Sequence, residues 1–150
     1  MSAPEVAHQV LWGIGSRQYQ FIVVNFANPD MLGHTGDIQA AIKGIETLDE
    51  FLGQIIDLTL KEDWVALITA DHGNVEEMIN LRSGEIDKEH TTNPVPFIIV
   101  DKNNENRNPF PEPPDLNSMT PLGVLADVTP TILKIMGLPK PSEMTGVSLI

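Results

Sequence analysis

The chain has no cysteine, few basic residues and few aromatic residues. Without cysteine it forms no disulfide, and its sequence carries no mark of a particular redox compartment. It has 9 Lys and Arg against 21 Asp and Glu, for a formal net charge of −12 over 150 residues. So acidic a chain has no general positive surface with which to bind nucleic acid or an anionic membrane. An anionic substrate would need local positive charge, from a few basic residues or from metal ions.

Long hydrophobic runs are also missing. Apolar stretches such as "FIVV" (21–24) are far shorter than the roughly 20 residues that a membrane-spanning helix requires. The first ten residues, "MSAPEVAHQV", lack the basic start and apolar stretch of a signal peptide. We therefore expect a cytoplasmic protein that binds neither membrane nor nucleic acid.

What the sequence does contain is an alternation of helical and strand-like patterns. Apolar residues recur at helical spacing between Gly36 and Leu60, and short β-branched runs precede and follow that segment. The predicted helices cover 4–18, 36–60, 74–81 and 125–137. The predicted strands cover 20–27, 64–70, 95–100 and the end of the tail 143–150. Residues 101–121, rich in Asn and Pro, are predicted to form an exposed loop.

This alternation predicts an α/β fold with a largely parallel sheet. In such sheets, binding sites form at the carboxyl ends of the strands. Asp30 lies just beyond the first predicted strand, and Asp71 and His72 lie just beyond the second. We therefore expect these side chains to meet at one edge of the sheet.

Five potential metal ligands stand out: Asp30, His34, Asp71, His72 and His90. Two carboxylates and three imidazoles suit Mn²⁺ or Zn²⁺ better than Ca²⁺, which prefers oxygen ligands alone. Hydroxyl and amide groups nearby are expected to fix the imidazoles by hydrogen bonds; they belong to Thr35, Asn74 and Thr91. The alternatives are a hydrogen-bonded network without metal, or an ordinary solvated turn. Glu76 and Glu77 are expected to lie on a solvated helix face.

Four stretches taken together resemble the C-terminal motifs of cofactor-independent phosphoglycerate mutase, in the alkaline phosphatase superfamily. They are "NFANPDMLGHTG", "TADHGNVEEM", "HTTNPVPFIIV" and "LADVTPTILKIMGLPKPSEMTGVSLI". The resemblance implies a three-layer α/β/α phosphatase-type domain that interconverts 3- and 2-phosphoglycerate in glycolysis. It also implies two divalent ions, Mn²⁺ first, with Zn²⁺, Co²⁺ or Mg²⁺ as alternatives. By the same resemblance, Asp30, His34 and His90 would hold one ion, and Asp71 and His72 the other.

The chain departs from that family in what it lacks. Family members are roughly three times as long, and their nucleophilic serine and inserted substrate-binding domain precede the motifs found here. None of the six serines of this chain stands in a motif that resembles the nucleophile's. We therefore expect residues 1–150 to be the C-terminal portion of a larger enzyme, inactive alone, that pairs with the missing N-terminal half or self-associates. The alternatives are another phosphomutase or phosphatase of the superfamily, or a non-enzymatic metal-binding fragment.

Overall fold

The computed structural model describes residues 2–80, 82–103 and 120–150. The chain divides into two compact units, residues 1–111 and residues 112–150. Most of the loop predicted over 101–121 lies outside the described residues. The helices and strands are α1 (Ala3–Ser16), α2 (Asn28–Gly33), α3 (Ile38–Lys61), β1 (Ala66–Thr69), β2 (Phe97–Val100) and α4 (Val128–Ile135).

The core of the first unit lies between α1 and α3. Ala7, Val10 and Ile14 on one face of α1 pack with Ile55 of α3 and are buried. Partly buried side chains close around them: Leu11, Ile22, Phe26, Phe51, Leu58 and Trp64. Each fully buried aliphatic side chain contributes about 1.5–3 kcal/mol, so this contact is the main source of stability in the unit. The predictions of helices over 4–18 and 36–60 are confirmed.

Helix α3 begins and ends as its sequence indicates. The carboxylate of Asp37 accepts a hydrogen bond of 3.0 Å from the Ala40 N–H, which satisfies a free donor of the first turn. Lys61 lies in the last turn, where a positive charge is favoured by the helix dipole. Within the described part of the chain, neither α3 nor any other helix is long and apolar enough to cross a membrane.

The sheet that the described residues form has two strands, β1 and β2, and they are antiparallel. Ala66 lies opposite Val100, and Thr69 lies opposite Phe97. Both strands were predicted, but the pairing differs from the largely parallel arrangement expected. A parallel return requires a crossover, usually an α-helix. Here the chain between the strands instead folds back on itself through isolated bridges between Gly73 and Thr91 and between Ile79 and Ile86.

Two predicted elements in this unit take other forms. Residues 20–27 are not a strand, because no described strand lies beside them to complete a ladder. Ile22 and Phe26 nevertheless pack against the core, while Phe21, Val23 and Val24 are exposed. The helix predicted over 74–81 is reduced to a single 3₁₀ turn, Val75–Glu77.

In the second unit, the predicted helix over 125–137 is a 3₁₀ turn, Leu125–Asp127, followed by α4. The strand predicted near the C-terminus is absent from the described residues. The backbone of the C-terminal residues instead donates hydrogen bonds to side chains of the helical segment. Val147 N–H donates to Asp127 Oδ1 at 2.8 Å, and Leu149 N–H donates to Thr131 Oγ1 at 3.0 Å. The hydrogen bonds from Val124 and Val147 hold the pKa of Asp127 below its usual value.

We predict that the 150-residue chain self-associates, because many large apolar side chains remain in water. Val23 is 79% exposed. Other exposed apolar side chains of the first unit include Tyr19, Phe21, Val24, Ile42, Ile45 and Ile98. Such apolar surface favours association. Sedimentation velocity should show concentration-dependent oligomers that Val23→Asp reduces. Gln18→Asp adds the same charge at an exposed polar position and should leave them unchanged. A monomer with a sharp thermal transition at high temperature would contradict the prediction.

Candidate metal centre

The structure brings together three of the five predicted ligands. Asp30 Oδ1 lies 3.2 Å from His34 Nε2 and 3.1 Å from His90 Nε2. The two histidine Nε2 atoms are 3.1 Å apart. We call Asp30, His34 and His90 the triad. Its three donor atoms form a nearly equilateral triangle on the surface of the first unit.

A short helix places the first two members of the triad. The sequence indicated only a turn here, but residues Asn28–Gly33 form α2, with Pro29 in its first turn. Proline is favoured there because the first turn has no use for its missing N–H. Asp30 and His34 are four residues apart, so both side chains lie on one face of α2. Pro29 was the sequence signal that could have predicted this helix.

His34 is oriented by a backbone carbonyl. Its Nδ1 lies 2.7 Å from the carbonyl oxygen of Lys88. Because a carbonyl can only accept, Nδ1 donates this hydrogen bond, and Nε2 is turned toward the other members of the triad. This is the common arrangement of metal-binding histidines, whose second nitrogen is held by a carbonyl or carboxylate.

Asp30 is oriented by Asn74. The amide of Asn74, a residue only 5% exposed, donates from Nδ2 to Asp30 Oδ1 at 3.0 Å. Burial alone would raise the pKa of Asp30. The Asn74 hydrogen bond and the nearby imidazoles outweigh that effect, so the pKa lies below the usual value and the carboxylate is ionised at neutral pH.

Asp71 and His72 lie beside the triad rather than within it. The His72 ring stacks on the His90 ring, with centroids 3.7 Å apart and an angle of 16° between the planes. Asp71 Oδ2 is 3.6 Å from His72 Nε2, and the Asp71 side chain is 89% exposed. Among the described residues, only the triad gathers three ligand atoms within 4.8 Å of one another.

The hydrogen bonds expected from Thr35, Asn74 and Thr91 take other partners than imidazoles. Thr35 Oγ1 donates to the Leu32 carbonyl and closes its own turn. Asn74 binds the carboxylate of Asp30 instead of a histidine, and the hydroxyl of Thr91 donates to Glu76. These three residues therefore lie near the site, but the prediction that they hydrogen-bond to its imidazoles is wrong.

Glu76 is the residue that sequence reasoning underestimated. It is exposed, as expected, but it is not merely solvated: it accepts hydrogen bonds from the Thr91 hydroxyl, from Asn93 Nδ2 at 3.1 Å and from the Asn74 N–H at 2.7 Å. Burial would raise the pKa of Glu76, but these hydrogen bonds lower it overall. A second carboxylate, Glu77, accepts only from Asn93 Nδ2 in the contacts observed, at 3.1 Å.

The triad fits a divalent transition metal. Ligand atoms bound to one such ion at about 2.0–2.2 Å lie about 2.8–3.6 Å from each other in octahedral or tetrahedral geometry. The observed separations of 3.1–3.2 Å fall in this range. One carboxylate oxygen and two imidazole nitrogens also form a donor set typical of Mn²⁺, Co²⁺ or Zn²⁺. Three protein ligands leave coordination positions open for a substrate or water.

Comparison with known proteins agrees with this geometry. A family model described as the metalloenzyme superfamily matches residues 1–140. The chain belongs to the metalloenzyme superfamily. This membership agrees with the donor set of the triad, which is one that could hold a divalent metal ion.

Three individual relatives share the name of one enzyme. The 2,3-bisphosphoglycerate-independent phosphoglycerate mutase of Clostridium botulinum (strain ATCC 19397 / Type A) is 49% identical over all 150 residues. The enzymes of that name from Thiobacillus denitrificans and Pseudomonas putida are 47% and 48% identical over the same length. In each case the chain spans 27% of the relative. The region matched is the C-terminal part, as the motifs predicted.

A solved structure of Leishmania mexicana phosphoglycerate mutase, determined at low cobalt concentration, matches with a TM-score of 0.76 and 28% identity. The match covers 97% of this chain and 27% of that protein. The resemblance to the cofactor-independent mutases and the α/β, alkaline-phosphatase-like fold class are therefore confirmed, with the sheet incomplete in this chain.

We predict that Gly33→Ala destabilises the first unit. A Cβ at Gly33 would overlap Asn74 Oδ1 and lie 2.5 Å from Asn74 Cγ, so the buried amide would have to leave Asp30. Overpacking of this kind costs about 1–3 kcal/mol. Gly53→Ala is the matched control, because a Cβ there meets nothing within 4 Å and alanine should stabilise α3 by about 0.5–1 kcal/mol. Urea unfolding followed by tryptophan fluorescence measures both. Equal stabilisation by the two substitutions would contradict the prediction.

Proposed function

We propose that this chain is the metal-binding C-terminal portion of a 2,3-bisphosphoglycerate-independent phosphoglycerate mutase, which interconverts 3- and 2-phosphoglycerate in glycolysis in the cytoplasm. The observation that carries the proposal is the triad: three donor atoms 3.1–3.2 Å apart in a chain 49% identical over its full length to such a mutase. The family resemblance implies that the nucleophilic serine and the inserted substrate-binding domain belong to a portion that precedes these motifs.

In this proposal the five ligands serve two sites. Asp30, His34 and His90 hold one divalent ion, and Asp71 and His72 contribute to a second, which residues outside this chain complete. Mn²⁺ is the first choice, with Zn²⁺, Co²⁺ or Mg²⁺ as alternatives. The stacking of His72 on His90 supports two neighbouring sites, because it brings a member of each set into contact.

Divalent ions at these positions would lower the pKa of the serine, bind the oxygens of the transferring phosphoryl group and neutralise its developing charge. The protein's own contribution is orientation. The Lys88 carbonyl keeps the proton on His34 Nδ1, and Asn74 holds the ionised carboxylate of Asp30 toward the histidines. Positive charge gathered here would also offset the repulsion between a chain of net charge −12 and an anionic substrate.

The proposal predicts unequal metal affinities. The triad supplies three ligands and the Asp71–His72 pair only two, so calorimetric titration of the 150-residue chain with Mn²⁺ or Zn²⁺ should show one tight and one weak site. His90→Ala removes a triad ligand and should weaken the tight site by more than about 100-fold, since loss of an outer hydrogen bond alone costs about 10–100-fold.

His72→Ala should affect the tight site much less than His90→Ala. His8→Ala, on the exposed face of α1, is the control for loss of an imidazole and should change neither site. Two sites of equal affinity, or no binding at all, would count against the assignment.

The proposal also predicts no mutase activity from residues 1–150 alone, with or without Mn²⁺. Transfer through a covalent intermediate needs a nucleophile placed beside the metals, and no serine of this chain lies in such a motif. Joined to the missing N-terminal portion, the chain should convert 3- to 2-phosphoglycerate in an enolase-coupled assay. Asp30→Ala or His72→Ala in that longer protein should abolish the conversion. Robust turnover by the short chain would show that the chemistry lies elsewhere.

A further inference from the structure

The metal ligands come from three stretches of chain that must be held together. Asp30 lies in α2 and His34 directly follows it, Asp71 and His72 follow β1, and His90 precedes β2. The ligand side chains of these stretches remain partly exposed. Packing of buried apolar groups therefore does not by itself fix their separation, and polar contacts around the site must supply the precision.

Glu76 makes the contacts that join two of these stretches. Its Oε2 accepts from the backbone N–H of Asn74 at 2.7 Å, within the segment that follows His72. Its Oε1 accepts from the hydroxyl of Thr91, the residue next to His90, and from Asn93 Nδ2 at 3.1 Å. One carboxylate thus bridges the segment 73–74 and the segment 91–93.

Each bridged segment is in direct contact with a member of the triad or adjoins it in sequence. Asn74, whose N–H is bound by Glu76, donates its side-chain amide to Asp30 Oδ1 at 3.0 Å. Thr91, whose hydroxyl is bound by Glu76, also donates its N–H to the Gly73 carbonyl at 2.9 Å. Asp30 is therefore linked to Glu76 through Asn74, and His90 is linked to it through its neighbour Thr91.

The absence of a side chain at position 73 is part of the same arrangement. A Cβ built on Gly73 would overlap both Glu76 Oε1 and the hydroxyl of Thr91. Only glycine lets the backbone at 73 approach close enough for the carboxylate of Glu76 and the hydroxyl of Thr91 to meet over it.

We propose that Glu76 is a positioning residue for the metal centre, which holds the segments of Asn74 and Thr91 together so that Asp30 and His90 present their ligand atoms to one ion. This inference rests on the proposed function, because it takes the triad to bind a divalent cation. Glu76 touches neither the ion nor the substrate; it acts through Asn74 and Thr91. Loss of such an outer contact reduces metal affinity by about 10–100-fold in metalloproteins.

The test compares Glu76→Ala, Glu76→Gln and Glu77→Ala in the 150-residue chain. Glu77 is the matched control, since it lies in the same 3₁₀ turn and shares Asn93 but does not bridge Asn74 and Thr91. Calorimetric titration with Mn²⁺ should show about 10–100-fold weaker binding at the tight site for Glu76→Ala. Glu76→Gln should lie between, because its single carbonyl oxygen can serve Thr91 and Asn93 but its NH₂ cannot accept from the Asn74 N–H.

A spectroscopic readout separates positioning from general destabilisation. With saturating Co²⁺, the visible d–d bands of Glu76→Ala should differ from those of the wild type, while those of Glu77→Ala should match. Gly73→Ala keeps Glu76 but forces it away from Thr91, so it should lower affinity and alter the bands as Glu76→Ala does. If Glu76→Ala fails to fold, Glu76→Gln and Gly73→Ala carry the comparison.

Two failures can be told apart. Wild-type affinity and wild-type Co²⁺ bands in Glu76→Ala, or in Gly73→Ala and Glu76→Gln together, would overturn the positioning role and leave the metal centre standing. Failure of the wild-type chain to bind Mn²⁺ or Co²⁺ would overturn the metal centre itself, and the role of Glu76 with it.

Discussion

Three electron-rich atoms held close together are the constraint on which the candidate metal centre depends. Asp30 Oδ1, His34 Nε2 and His90 Nε2 lie 3.1–3.2 Å from one another, and lone pairs at that separation repel unless a proton or a cation lies among them. Much around them serves this arrangement. α2 aligns the first two, hydrogen bonds from Asn74 and to the Lys88 carbonyl hold Asp30 and His34, and the ring of His72 stacks on His90. The metalloenzyme family to which the chain belongs is the natural setting for such a site.

Charge gives this cluster its importance for the whole molecule. A chain of net charge −12 repels anions in general, and its few basic residues are spread along the sequence. In the proposed function, divalent cations at the triad and at the neighbouring Asp71–His72 site would add positive charge to this one region of the molecule. The proposed phosphoglycerate chemistry would therefore be confined to the metal centre, while the rest of the surface discourages anionic ligands.

Exposed apolar side chains are concentrated partly in the segment that precedes α2. The α1–α3 core is well formed, yet the segment 20–27 places only Ile22 and Phe26 against it and exposes Phe21, Val23 and Val24. A strand-like segment that is apolar on both faces is typical of the interior of a sheet covered on both sides. The chain spans 27% of the length of the relatives it matches, so most of the protein that would cover such a segment in them lies outside it.

The sequence by itself determined the features that depend on local pattern. The period of apolar residues predicted α1 and α3, short β-branched runs predicted β1 and β2, and the motifs predicted Asp30, His34 and His90, whose side chains the structure brings together. Only the tertiary structure decided which backbone and side-chain groups meet across long separations. The Lys88 carbonyl that orients His34 has no side-chain signature. The bridge from Glu76 to Thr91 and the antiparallel return of β2 depend on the path of the chain. These hydrogen bonds join residues that are far apart in sequence. They form only where the folded backbone brings the two groups together, and no local pattern of residue types encodes that meeting.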